Sequence, residues 1–202
     1  MGYMMDFYVS GMLSKRNKWE SAIAARFMHR GSKPRETRVR RLSVLWSSDN
    51  TIQRAELLAV MMALRWALAR YGKELKTRPK LKVRIHTDSR YAVDVMNVSR
   101  YKWAYYGWKN SKGEKLRYRD LIQQVAALDD KLRELGSVHY ILIPRDENKE
   151  AIGAGTAKLN GDEPAEELEP ESQHELESEP EPELEHEPEL GHEQEQEQEQ
   201  EE

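Results

Sequence analysis

Apolar and polar residues alternate at the start of the chain, with Met5, Phe7 and Val9 on one face and Asp6, Tyr8 and Ser10 on the other. This period of two predicts a strand, with Gly11 as its end. After a polar loop over residues 14–18, the run Ser21-Ala22-Ile23-Ala24-Ala25-Arg26-Phe27-Met28 predicts a second strand whose small residues permit close packing. A turn over residues 30–34, containing Gly31 and Pro34, precedes a third strand over residues 37–46. Connections this short predict an antiparallel meander.

The period then lengthens. Leu57, Met61, Leu64, Leu68 and Tyr71 recur every three or four residues, flanked by Val60 and Ala67, which predicts a helix with Gly72 as its C-cap. A basic loop with Pro79 leads into Leu81-Lys82-Val83-Arg84-Ile85-His86-Thr87-Asp88-Ser89, where alternation resumes and then delivers a carboxylate between two hydroxyls. A strand, helix, strand succession needs a right-handed crossover, so this strand is expected to run parallel to an earlier one. Residues 91–98 read as a short helix and residues 101–119 as an aromatic and basic excursion. Asp120 is the expected cap of a further helix bearing Leu121, Val125, Leu128, Leu132 and Leu135 and closed by Gly136. Residues 138–143 are nearly continuous in apolar side chains and predict a strand buried on both faces. Pro144 stops it, and Asn148 is a suitable N-cap for a last helix reaching Leu159. The elements amount to an α/β fold with three antiparallel strands, then two parallel ones, and helices on both faces.

Charge divides the chain in two. Residues 161–202 hold 20 Asp or Glu and no Lys or Arg, so the net charge of -4 conceals +16 over residues 1–160 and -20 over the rest. The basic part predicts a polyanionic partner such as nucleic acid. The acidic part, mostly Glu, Pro and Gln, has too little apolar surface to offset chain entropy and is expected to be a disordered tail on a folded domain spanning residues 1–160. Cysteine is absent, which removes disulfides and thiolate metal sites and fits a reducing compartment. With no signal-peptide core and no apolar run of ~18 residues, the chain is expected to be intracellular, nuclear or cytoplasmic, without a membrane partner.

Four motifs in this order carry a family resemblance. Thr51-Ile52-Gln53-Arg54-Ala55-Glu56-Leu57 opens the first helix, and His86-Thr87-Asp88-Ser89 ends the fourth strand. Trp103-Ala104-Tyr105-Tyr106-Gly107-Trp108-Lys109 lies in the excursion, and Pro144-Arg145-Asp146-Glu147-Asn148 follows the last strand. Together they resemble type 1 ribonuclease H over residues 6–160. The resemblance implies a ribonuclease H-like five-stranded mixed sheet and cleavage of the RNA strand of RNA–DNA hybrids with two Mg²⁺ or Mn²⁺ ions. Hard divalent ions take oxygen ligands, and a pair about 3.5–4 Å apart needs a bridging carboxylate. In the family, four carboxylates hold the ions.

Of these four, Glu56 and Asp88 match the second and third, as catalytic and metal-binding positions. The first falls on Ser10, where the following Gly11 is kept, and the fourth on Ile152. The His often found before the family's last helix has no counterpart between Pro144 and Asn148, and Ile52 stands where the family commonly has Asn. Asp6 shares a strand face with Ser10, but four residues put it ~13 Å away. Asp146, Glu147 and Glu150 are the candidates to replace the carboxylate missing at Ile152.

Three readings follow. The first is a catalytically impaired domain that binds a hybrid or duplex through Gln53, Trp103, Trp108, Lys109, Lys112 and Lys115, the cations neutralising phosphates and the aromatics stacking. The second is an active metal-dependent endonuclease, and the third a scaffold for a protein partner, with no cofactor. For single residues, plainer roles stand beside these. Asp88 would cap the helix starting near Ser89 or Arg90, Glu56 would form an ion pair on the helix face, and Trp103 and Trp108 would pack on the helix beneath them. His86 and His139 read as ordinary strand residues. The acidic tail is either solubilising or autoinhibitory, competing with nucleic acid for the basic face.

Overall fold

The alternating runs pair as the short connections require. The structure, a computed structural model, describes residues 3–28, 36–43, 50–74, 80–110 and 112–161. All of these lie in one unit, Met1–Pro164. The turn at residues 30–34, the end of the third strand at residues 44–46, Pro79 and nearly all of the acidic tail lie outside the described residues.

β1 (Tyr3–Leu13), β2 (Glu20–Met28) and β3 (Glu36–Ser43) form the antiparallel meander. β4 (Leu81–Thr87) joins β1 in parallel and β5 (Gly136–Leu142) joins β4 in parallel, giving the order β3-β2-β1-β4-β5. This is the mixed five-stranded sheet expected from the sequence.

The long helix α1 (Ile52–Glu74) fills one side. Leu57, Val60, Met61, Leu64, Ala67 and Tyr71 are buried as the spacing predicts, and Ala55, Ala59, Ala63 and Trp66 widen the buried face. Phe7, Phe27 and Trp66 meet with ring centroids 5.2–5.9 Å apart, and each buried ring contributes about 1.5–3 kcal/mol. On the other side, α5 (Lys149–Asn160) packs on β1, β2 and β3. Ala22 and Ala24 of β2 are fully buried there, so the small side chains do permit the close approach.

Several local expectations are corrected. Gly11 does not end β1; it lies inside the strand where α1 crosses. A Cβ on Gly11 would sit 2.4 Å from the backbone carbon of Ala55 and the backbone nitrogen of Glu56, so only glycine fits. Gly72 is inside α1 rather than its C-cap. The fifth strand is not buried on both faces: Val138 and Tyr140 on one face are buried, while His139 on the other is exposed, as is Leu142 at the end of the strand.

The short helix at residues 91–98 is longer than its pattern suggested. α2 (Arg90–Asp94) continues through a π-helical turn, Val95–Ser99, into α3 (Arg100–Tyr105). α4 (Arg119–Leu135) begins one residue before Asp120, with Tyr118 at the cap position in a left-handed conformation. Asp120 instead sits in the first turn, where its charge still complements the helix dipole.

A buried ion cluster ties α3 to α4 and β5. Asp129, fully buried, accepts hydrogen bonds from Arg100, from Arg133 Nε at 2.5 Å and from the Tyr140 hydroxyl at 2.7 Å. Burial, then the Asp129 charge and hydrogen bond, push the Tyr140 phenol well above its usual range. The base of the excursion is thereby fixed to the rigid part of the fold.

Candidate metal and nucleic-acid site

Parallel pairing of β1 and β4 runs out at Val9 and Thr87, so Ser10 and Asp88 are the next residues on neighbouring strands. α1 crosses at Gly11 and brings Glu56, one residue past its contact with Ala55, to the same place. The start of α1 is fixed by Thr51, whose Oγ1 accepts from Arg54 N at 3.3 Å and lies 2.6 Å from the Tyr118 hydroxyl. Ser10, Glu56 and Asp88 therefore converge at one end of the sheet.

Every oxygen of Asp88 has a donor. Asn148 Nδ2 donates to Oδ1 at 2.6 Å and Arg145 Nη1 donates to Oδ2 at 3.1 Å. Asn148 is 1% exposed, and Nδ2 also donates to Val9 O at 2.9 Å, bridging the ends of β1 and β4. It occupies the N-cap position of α5, but its side chain makes no capping bond; the longer-range bridge takes it instead. Its Oδ1 is buried with no partner among the described residues.

Glu56 accepts from the Ser89 hydroxyl, and Ser89 Oγ accepts from Ala92 N at 3.1 Å. Ser89, not Asp88, is thus the cap of α2. Burial raises the Glu56 carboxyl above its usual range; the Ser89 hydroxyl opposes this, the Asp88 charge adds to it, and the Arg145 charge opposes it. Among the described residues, Glu56 forms no helix-face ion pair of the kind considered above.

Among the described residues, neither Asp6 nor the candidate substitutes Asp146, Glu147 and Glu150 group with Glu56 and Asp88 as a metal site. Asp6 accepts hydrogen bonds from Arg84, including Nη2 at 2.6 Å, and lies 3.4 Å from His86 Nε2. Glu150 pairs with Arg26 of β2. Asp146 and Glu147 are exposed in the single 3₁₀ turn, Arg145–Asn148. Ile152, half-buried, lines an open groove of about 700 Å³ with Arg145, Asp146, Lys149, Gly153 and Thr156. Among the described residues, no three His, Asp or Glu side chains come together as a metal site.

The excursion contains a second group of candidates. Gly107 and Trp108 take positive φ in succession, and Trp108 N donates to Trp103 O at 2.6 Å, folding the chain back. Both indoles pack against the core. Lys109 pairs with Lys115 across a loop whose Asn110 Oδ1 accepts from Lys112 N and Glu114 N, each at 2.9 Å. The most exposed aromatics of the excursion are Tyr105 and Tyr106, 83% and 69% accessible, with rings 5.0 Å apart edge to face; Tyr101 is exposed too, with the Arg100 guanidinium over its ring. Gln53, Lys109, Lys112 and Lys115 are also exposed. The packing role considered for Trp103 and Trp108 therefore matches the structure, and the most accessible aromatic surfaces are those of Tyr105 and Tyr106.

A family model described as RNase H matches residues 4–140. The chain belongs to the RNase H family. A curated relative, "Ribonuclease H" of Syntrophotalea carbinolica, is 37% identical over 94 residues, which cover 46% of this chain and 55% of that protein. The match thus spans about half the length of that relative. Among solved structures, the chain resembles a foamy viral protease-reverse transcriptase in complex with dsDNA, with 20% identity and a TM-score of 0.61 over 77% of this chain and 93% of the other. It also resembles LC9-RNase H1, a type 1 RNase H with the type 2 active-site motif, with 18% identity and a TM-score of 0.58 over 80% and 74%. At those identities the likeness speaks for the fold.

RNase H proteins generally use divalent metal ions, and the donor set here does not fit a pair of them. Two carboxylates remain, no third groups with them among the described residues, and both carboxylate oxygens of Asp88 accept from nitrogen donors. The sequence pattern singled out Glu56, Asp88 and Ser10 and gave Asn148, Arg145 and Ser89 no part in a site. The signal for Ser89 was local, a serine three residues before Ala92 N. Asn148 and Arg145 had no such signal.

Proposed function

We propose that this chain is a nucleic-acid-binding RNase H domain whose hydrolysis by two metal ions is disabled. The observation that carries this reading is the state of Asp88, engaged by Asn148 and Arg145 and converging with Ser10 where the family has a carboxylate. A hybrid or duplex would be held by the cations of the excursion, Lys109, Lys112 and Lys115, with Gln53 at the helix start and Tyr105 and Tyr106 as stacking surfaces. The domain spans residues 1–160, and residues 161–202 form an acidic tail that competes for the same cations at high effective concentration.

Family membership favours a second reading, an active endonuclease using Glu56, Asp88 and one relocated carboxylate. A labelled RNA–DNA hybrid incubated with Mg²⁺ or Mn²⁺ separates the two. The expected result is no cleavage by the native chain and cleavage by the Ser10→Asp, Ile152→Asp double variant. Cleavage by the native chain that Glu56→Gln abolishes would establish the second reading instead. Removal of residues 161–202 is expected to tighten hybrid binding at low salt; equal affinity with and without them would rule out competition by the tail.

A further inference from the structure

A carboxylate pair without a cation repels a phosphodiester, so a domain that holds nucleic acid near Glu56 and Asp88 needs positive charge at that place. Two groups supply donors to Asp88 from opposite sides. Asn148 is buried, and its Nδ2 donates to both Val9 O and Asp88 Oδ1, so it lies between the β1 and β4 ends. Arg145 binds the outer oxygen through Nη1 while its side chain remains 75% exposed. It opens onto the groove that also contains Lys149 and Thr156. A guanidinium carries five N–H donors, so one bond to a carboxylate leaves a fork suited to a phosphate.

We propose that the Asn148 amide and the Arg145 guanidinium replace the divalent cation at Asp88, and that Arg145 is a phosphodiester ligand, holding nucleic acid there without a metal. The phosphate role rests on the proposed function; the replacement of the cation does not. Arg145 performs two tasks that an ion performs elsewhere in the family: it balances the carboxylate and it presents positive charge outward. Asn148 closes the inner side, donating N–H where a cation would require an oxygen.

The test has two arms. In the first, fluorescence anisotropy measures binding of a labelled RNA–DNA hybrid to the full chain in EDTA and in Mg²⁺ at matched ionic strength. The native chain is expected to bind equally in both. Arg145→Ala is expected to weaken binding about tenfold in EDTA and to reduce the salt slope by about one, with Arg145→Lys recovering most of the loss. Release of hybrid from the native chain by EDTA, or undiminished binding by Arg145→Ala, would overturn the phosphate role.

The second arm omits nucleic acid and follows melting temperature against Mn²⁺. No shift is expected for the native chain, and a Mn²⁺-dependent rise for Arg145→Ala combined with Asn148→Asp. If the double variant folds poorly, Arg145→Ala alone should bring line broadening by Mn²⁺ to the amides around Asp88. A rise in the native chain as large as in the variant would overturn the replacement of the cation. If no nucleic acid binds under any condition, the proposed function and the phosphate role fail together, and the second arm judges the replacement by itself.

Discussion

Replacing Asp6 by Asn tests whether the acidic residue nearest in sequence to Ser10 serves the fold or the site. Asp6 is cross-strand to Arg84, whose guanidinium meets both carboxylate oxygens, and His86 adds a contact at 3.4 Å while stacking on Tyr8 with centroids 4.6 Å apart. Burial works against the charge, but the hydrogen bonds from His86 and Arg84 and their charges prevail, holding the carboxyl at about 2 against an ordinary 3.8. At about 1.4 kcal/mol per unit, that depression corresponds to about 2 kcal/mol of stability.

The sign fixes the pH window. A carboxylate with a depressed folded pKa stabilises above its unfolded pKa and loses that contribution as pH falls from near 3.8 toward about 2. Asp6→Asn is therefore expected to lower the unfolding free energy by about 2 kcal/mol at pH 7, measured from urea midpoints at constant slope, and by much less near pH 2. A gap between native and variant that does not narrow in acid would refute the ion-pair account. Mg²⁺ supplies the functional control: if Asp6 served a cation instead, added Mg²⁺ would widen the gap at pH 7, whereas the pair with Arg84 predicts no change.

Three further outcomes follow from other parts of the structure. Asp129→Asn leaves Arg100, 3% exposed, with only the solvent-exposed Asp130 as counter-charge and is expected to cost about 3 kcal/mol in denaturant titration; a loss under about 1 kcal/mol would contradict the buried-cluster account. Tyr105→Ala and Tyr106→Ala are expected to weaken hybrid binding by about 1–3 kcal/mol each with unchanged melting temperature, whereas Trp103→Ala should lower the melting temperature. Glu56, raised by burial, favours the folded state when protonated, so its contribution declines as pH rises above 4.5; Glu56→Gln should remove that decline, and an unaltered pH profile of stability would count against it.

The strands and α1 were legible because their signals are local. Met5, Phe7 and Val9 must face one way in any strand, and a helix presenting Leu57, Met61 and Leu64 on one face must cover them. Two kinds of information were not legible. Coverage of a strand's face depends on distant parts of the chain, so residues 138–143 read as doubly buried although His139, on one face of β5, is exposed. The partners of Asp88 depend on contacts between distant parts of the chain: Asn148 and Val9 are 139 residues apart, and no spacing rule connects them. The same limit applies to the aromatics of the excursion: Trp103 and Tyr105 are two residues apart in α3, and which of them faces the core is decided by contacts with the rest of the fold.

Ser10 and Gly11 show how the frame can persist while the charges in it change. Gly11 is constrained by volume alone, since any Cβ would collide with the backbone of α1, and that holds whatever chemistry occurs nearby. Ser10 is constrained by charge. It is 5% exposed and converges with Glu56 and Asp88, so a third carboxylate there would be stable only with a cation to balance it. A neutral hydroxyl at position 10, an amide at Asn148 and a guanidinium at Arg145 are therefore mutually consistent. The hydroxyl adds no negative charge, the guanidinium offsets that of Asp88 and the amide donates a hydrogen bond to its inner oxygen, and none disturbs the crossing of α1 over β1 that defines the site.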